Sequence, residues 1–248
     1  DALNWGRLLA FKQSLVFKKA GLLVDKLSDE NPKVKISRFY NILSHYQDDK
    51  YAQKYKDIIE KLYAKEKFIF KNKFNFNLTS SSALMLFRFM RYKDEYEVAR
   101  LHTSGEFASK FLNKNTRKDI NFYLAPPLLN IRDKNTGHLK KIKFGSWMFY
   151  IFKILSKLKF LRGTKFDVFG MTIERRKEIA LAEKSLLTVN AIIKNLSKTN
   201  YNICEDLINT TLKIKGYGHV KEKNIQIYEK SWNSFLKKIE PKSIKKVS

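Results

Sequence analysis

Apolar positions recur at helical spacing along most of the 248-residue chain. Tyr51, Tyr55, Ile58, Ile59 and Leu62 fall on one face of a 3.6-residue repeat, which predicts a helix over 51–70 following another over 36–49. Asp48 and Asp49 mark the joint between them. The stretch KNKFNFNL (71–78) has no clear period. Ser80, Ser81 and Ser82 then offer N-caps for a helix running to about 102, and Gly105 ends that element or begins a short one over 106–113. Helical spacing returns over 146–160, after Thr172 to about 197, after Thr199 to about 213, and from about 219 to 239, with Thr172 and Thr199 as N-caps.

The period changes over 119–145. DINFYL alternates like a strand that Pro126-Pro127 stops. LLNIR, DKNTG and HLKKIKF read as a β-hairpin, with Asn135 and Gly137 supplying turn chemistry. The expected fold class is therefore mainly α: a compact multi-helix domain with one central β-hairpin or small sheet at about 119–145. We expect a linker or the end of a preceding unit over 1–24, the helical domain over 25–240 and a frayed Lys-rich tail over 241–248.

Composition agrees with a packed domain, since 44% of residues are hydrophobic and 14% aromatic. The single cysteine, Cys204, excludes an internal disulfide, a Cys-based zinc site and an iron–sulfur cluster held by this segment alone. His45, His102, His138 and His219 lie far apart without metal-ligand spacing, so no metal site is expected. No phosphate-binding glycine loop or nucleophile elbow occurs. The longest apolar run, Trp147 to Phe152, is too short to span a membrane. The opening DALNWGRLLAF, without an initiator Met or a leader, carries the expectation of a piece of a larger cytoplasmic protein.

The formal net charge is +26. That balance raises a nucleic-acid or polyanion-binding module as one reading. Most of the basic residues are Lys, and Lys, Asn and Ile, all abundant here, share AT-rich codons; compositional drift loads a surface with Lys without a binding purpose. The excess is also spread over both halves of the chain, and no Arg-rich or Gly-aromatic stretch accompanies it. Drift is the simpler account, and no nucleic acid or membrane is expected as a partner.

Two charged stretches stand out. In MRYKDEYEVAR (90–100), Arg91/Glu95, Lys93/Glu97 and Glu97/Arg100 have the spacing of ion pairs on adjacent helical turns. The simpler reading is a salt-bridged surface helix, each pair contributing about 0.3–0.5 kcal/mol; the other is an ordered polar network at an interface. Residues 134–166 hold nine basic residues and no acid. Lys153, Ser156 and Lys157 share one helix face there, with Met148, Ile151, Phe152, Leu155 and Leu158 on the other. An ordinary helix packed by its apolar side is the plain expectation, against a surface for anionic partners or membrane. Gly163, next to Arg162 and Thr164, could form a backbone-amide cradle for a phosphate or carboxylate.

Several strings occur in one order at close-fitting spacing: YKDEYEVARL (92–101), LAPPLL (124–129), FGSWM (144–148), LRGT (161–164), DVFG (167–170), ERR (174–176) and GYGHVK (216–221). Together they make roughly residues 4–235 resemble the C-terminal domain of the long, fused bacterial indolepyruvate ferredoxin oxidoreductases, members of the 2-oxoacid:ferredoxin oxidoreductase group. NWGR (4–7) resembles the end of the preceding gamma-type domain. Ser146 and Val168 stand where that family usually has Pro, and Tyr217 where it usually has Phe.

The resemblance implies a parent enzyme in which thiamine diphosphate, with Mg2+, attacks an aryl-2-oxoacid such as indolepyruvate. Decarboxylation and oxidation through 4Fe-4S clusters then yield an acyl-CoA from coenzyme A and reduced ferredoxin. Those cofactors are expected elsewhere in the parent, none on this segment, and no catalytic residue is carried onto it. Its expected role is structural or partner-recruiting. The candidate polar network or anion site comprises Lys93, Asp94, Glu95, Glu97, Arg100, Arg162, Thr164, His219 and Lys221. The candidate partner-binding basic patch comprises Lys140, Lys141, Lys143, Lys153 and Lys157. The expected partners are the other domains of the enzyme, ferredoxin, and further copies of the parent in a homo-oligomer.

Overall fold

A computed structural model describes residues 31–71, 75–112, 120–124, 140–214 and 218–239. Helices α1 (Pro32–Tyr46) and α2 (Asp49–Phe70) form an antiparallel pair. Asn31 caps α1 by accepting the Lys33 amide at 2.9 Å, with Pro32 at the first helical position, and Asp48 caps α2 by accepting the Tyr51 amide at 2.7 Å. The acidic joint thus starts the second helix.

The region expected to be one helix over 80–102 is two. Helix α3 (Asn77–Met90) begins before the three serines, after Phe76 in a left-handed conformation, so Ser80, Ser81 and Ser82 lie inside it and cap nothing. The chain then leaves the helix at Arg91 and re-enters it as α4 (Glu95–Thr103). Asp94 is the N-cap, its Oδ1 accepting the Glu97 amide at 2.8 Å. The break is held from outside: the Tyr51 hydroxyl donates to the Met90 carbonyl at 2.7 Å and the Tyr46 hydroxyl to the Tyr92 carbonyl at 3.0 Å. Carbonyls freed by helix termination are thereby satisfied within the protein.

Helix α5 (Gly105–Leu112) follows, then a two-stranded antiparallel sheet of β1 (Phe122–Leu124) and β2 (Ile142–Phe144). Its register pairs Phe122 with Phe144, Tyr123 with Lys143 and Leu124 with Ile142. The small sheet stands as expected, but the partner of HLKKIKF is DINFYL, which buries Phe122 and turns Tyr123 outward. LLNIR, the turn at Asn135 and Gly137, the segment 1–24 and the tail 241–248 lie outside the described residues.

Helix α6 (Met148–Lys157) runs into a 3-10 turn over Leu158–Leu161, and α7 (Ile173–Asn195), α8 (Tyr201–Leu212) and α9 (Gly218–Ile239) complete the order. Thr172 caps α7, accepting the Arg175 amide at 3.4 Å. The cap position of α8 is Asn200 in place of Thr199, and its side-chain oxygen turns back to accept the Ser197 amide.

Two hydrophobic clusters result. The larger is built from α1, α2, α3, α7, α8 and α9 around Leu43, Tyr55, Leu62, Leu86 and Tyr228, with Phe39 and Phe87 stacked at 4.0 Å. The smaller joins α4, α5, β1 and α6 through Ala99, Phe111, Phe122, Met148, Phe149 and Phe152, with Phe111 stacked on Phe149 at 3.9 Å. Tyr92 and Tyr96 are buried but belong to neither cluster. Tyr92 sets its ring edge-on to Tyr46, and Tyr96 meets Phe169 in the same way.

Candidate functional site

Arg162, just after the 3-10 turn, reaches Asp94 at the start of α4. Its Nε donates to Asp94 Oδ2 at 2.5 Å and its Nη2 to Oδ1 at 2.9 Å, a bidentate pair. The side chains are 5% and 3% exposed, far from the surface pairing that spacing alone suggests. Nη1 donates to the Tyr46 carbonyl at 2.9 Å and to Gln47 Oε1 at 2.5 Å, while the guanidinium lies 3.8 Å from the Tyr46 ring centroid. Lys159 donates to the neighbouring His45 carbonyl at 2.8 Å, so two cations close the C-terminal end of α1. Burial opposes the charge on Arg162, but the hydrogen bonds and charge of Asp94 outweigh it and hold the group above its ordinary range. Burial, reinforced by the Asp94 charge, pushes the Tyr92 hydroxyl up to about 12.

The amides beside Arg162 do cradle a carboxylate, and it belongs to the chain itself. Asp167 Oδ2 accepts the Gly163 amide at 2.9 Å, and its Oδ1 accepts the Gly170 amide at 3.0 Å and the Tyr96 hydroxyl at 3.3 Å. Gly163 sits at φ +76°, a conformation that favours glycine. Gly170 is required for a different reason: a Cβ there would lie 2.6 Å from Asp167 Oδ2. The position expected for a phosphate or external carboxylate is thus filled by Asp167.

The remaining candidates divide. Glu97 is buried and meets Arg100 through two bonds, at 2.7 and 2.9 Å. Glu95 pairs with Arg175 of α7 at 3.3 Å, in place of the expected Arg91. Lys93 is exposed, and Glu97 takes Arg100 in its stead. The helix break puts Arg91 and Lys93 outside α4, which removes the turn-to-turn spacing those two pairs needed. Thr164 closes its own turn, donating to the Leu161 carbonyl at 2.7 Å. Lys221 is elsewhere altogether, pairing with Glu178 between α9 and α7. His219 lies in the first turn of α9, and its side chain lies outside the described residues.

Lys140, Lys141, Lys143, Lys153 and Lys157 are all exposed. On α6 the buried face is Met148, Phe149 and Phe152, flanked by Leu155; Ile151, expected on that face, points outward because Phe149 takes the inner place against Phe111.

Sequence reasoning missed Tyr46 and Gln47 as partners of Arg162, and it missed a buried carboxylate in the larger cluster. Glu66 Oε2 accepts the Thr79 amide and hydroxyl at 3.0 and 2.5 Å, and its Oε1 accepts the Tyr201 hydroxyl at 2.9 Å. Burial raises its pKa and outweighs these hydrogen bonds, which act the other way. The cap at Asp94 was missed by a reading that ran one helix through it, although the Asp94/Glu97 spacing was a signal that could have shown it; Glu66, in a run of Lys and Glu, carried no signal. Among the described residues, no group of three or more His, Cys, Asp or Glu could hold a metal ion, and no helix is long and apolar enough to cross a membrane.

These features define a mainly helical domain with a small sheet, whose charged centre is turned inward and satisfied by its own side chains. The chain belongs to the family of unknown function DUF6537, which matches residues 33–234. No curated protein and no solved structure matches it.

Proposed function

We propose that this chain is the C-terminal bracing domain of a thiamine-diphosphate-dependent indolepyruvate (aryl-2-oxoacid):ferredoxin oxidoreductase, and that its work there is to hold the catalytic parts in place. The observation that carries this reading is the bidentate Asp94–Arg162 pair. It is built from KDEYEVAR and LRGT, two of the strings on which the resemblance rests most firmly. DVFG joins the same cluster through Asp167 and Gly170, and ERR joins it through Arg175 on Glu95. Both Asp94 oxygens and both Asp167 oxygens are engaged, so the groups are spent on position and leave no free base.

In this reading thiamine diphosphate, Mg2+ and the 4Fe-4S clusters are held by other parts of the parent, which draws on coenzyme A and passes electrons to ferredoxin. Cys204 is buried, and its thiol is pushed up to about 12 by that burial, a poor setting for a thiolate ligand.

Anaerobic indolepyruvate- and coenzyme A-dependent ferredoxin reduction by the parent polypeptide, with and without residues 25–248, tests the proposal. We expect the intact parent to turn over and the truncated one to lose its assembly. An intact parent without this activity would overturn the enzyme assignment. Full activity and assembly after truncation would overturn the bracing role.

A further inference from the structure

The loop between the 3-10 turn and α7 is pinned from within and apolar without. Asp167 turns inward and ties the loop together through the Gly163 and Gly170 amides, while Phe169 sets its ring edge-on to the buried Tyr96 at 5.2 Å. Thr164 and Thr172 close the turns on either side by donating to the Leu161 and Phe169 carbonyls. Around these inward groups Phe166, Val168, Met171 and Ile173 are 76%, 48%, 56% and 73% exposed, and none of them joins either hydrophobic cluster. Exposed apolar side chains are ordinary when scattered singly; gathered on one fixed loop they mark a contact surface. The only charged residue from 166 to 173 is Asp167, which is buried and engaged. Exposed Lys165 stands at one end of the loop, and exposed Glu174 and Arg176 at the other.

We infer that this loop seats in an apolar, uncharged hollow of the parent polypeptide, in a part of it outside the present 248 residues. The inference rests on the bracing role proposed above and names the surface through which the bracing is exerted. Charge and rigidity select the occupant. A bilayer or a nucleic acid is drawn by a rim of cations, and the rim here is mixed in sign. A second copy would bring together two chains of formal charge +26. A loop fixed by its own carboxylate is ordered before contact, which favours a partner of fixed shape. An apolar centre inside a polar rim of both signs is the make-up of a protein interface.

Met171 is the reporter, since Met85, Met90 and Met148 are buried. In the full-length parent, its oxidation by dilute hydrogen peroxide, read by mass spectrometry, should run about tenfold slower than in the same protein unfolded in urea. Phe166→Glu combined with Ile173→Glu should remove that protection. Both positions are exposed in this domain, so the substitutions leave its core intact, which circular dichroism checks. Benzoylphenylalanine at Phe166 then identifies what covers the loop, with mixed isotope-labelled and unlabelled copies separating contacts within one polypeptide from contacts between two. We expect adducts with apolar residues of the same polypeptide outside residues 1–248. Oxidation of Met171 at its unfolded rate would overturn the inference, as would adducts with a second copy, another protein, lipid, nucleic acid or residues 1–248. Ferredoxin reduction is measured on the same preparations. Activity with Met171 unprotected would sink this inference and leave the enzyme assignment standing; protection and the expected adducts without activity would uphold the interface and remove the assignment.

Discussion

Arg162 meets both oxygens of Asp94, a residue 68 positions earlier in the chain, while one of those oxygens also caps helix α4. A single carboxylate therefore starts a helix and anchors a distant guanidinium. Removing the cation strands a buried charge, and removing the carboxylate strands another while undoing the cap. Such pairs are costly to break from one side and much less costly to replace as a whole.

Arg162→Ala should lower unfolding free energy by about 3–5 kcal/mol in urea denaturation. Arg162→Lys should recover only part of this, because an ammonium cannot reproduce the two parallel bonds. If the lysine variant matched the native protein, charge alone would suffice and the bidentate geometry would be incidental.

The two glycines of the Asp167 cradle should fail for different reasons. Gly170→Ala puts a methyl group against Asp167 and should cost about 1–3 kcal/mol through displacement of that carboxylate. Gly163→Ala meets no atom within 4 Å, so its cost, about 1–2 kcal/mol, is purely conformational. Gly163→Asn should be milder than Gly163→Ala, since Asn tolerates the left-handed region. Thermal unfolding of the three variants decides it; an equal loss at Gly163 for Ala and Asn would contradict the backbone argument.

Glu66 should leave a mark on the pH dependence of stability. Its folded pKa is raised by burial, so the folded state favours the protonated form. The associated stability is fully present below the unfolded value, about 4.3, and is lost as pH rises through the folded value. Relative to Glu66→Gln, the native protein should therefore weaken as pH climbs from the ordinary carboxylate range, then level off. Denaturant midpoints taken across that range check this, and parallel curves for the two proteins would refute it. The variant itself carries a penalty, because the amide brings a donor to a place where Thr79 and Tyr201 already donate.

Helix α9 should loosen in salt. Lys177–Glu222, Lys184–Glu229 and Lys221–Glu178 tie it to α7; the first pair is exposed on both sides and the second on the side of Glu229. Exposed pairs contribute about 0.2–1 kcal/mol each and are screened at high ionic strength. Hydrogen exchange should quicken over Gly218–Ile239 between low and molar salt while the buried Val189–Ile192 turn of α7 keeps its protection. Uniform behaviour of both segments would mean that the apolar packing of Tyr228 and Phe235 in the larger cluster, and not the ion pairs, holds the helix.

The helices of the larger cluster could be read from the chain because their apolar faces repeat cleanly, as in Tyr55, Ile59 and Leu62. The break at 91–94 was harder. Local spacing favoured a continuous helix, and the groups that stabilise the interruption, Tyr46 and Tyr51, are about forty residues away. The same distance hid the burial of Asp94 and Glu97: ion-pair spacing describes neighbours on one helix and is silent about an arginine arriving from another. On α6 the sequence has apolar residues on nearly every side, so periodicity alone could not say which stripe faces in. The inward orientation of Phe149 follows from its stacking on Phe111, a tertiary contact.

The way the two hydrophobic clusters are joined has a mechanical consequence. Apolar side chains slide past one another and yield gradually under load, whereas paired hydrogen bonds between fixed planes lose both contacts over a short displacement. Because Asp94 and Arg162 bridge the clusters, a pull that separates α4 from the end of α1 meets a stiff latch that releases abruptly. Strain between α1 and α4 should therefore be carried up to a threshold at this latch, with the Glu95–Arg175 pair holding α4 to α7 beside it.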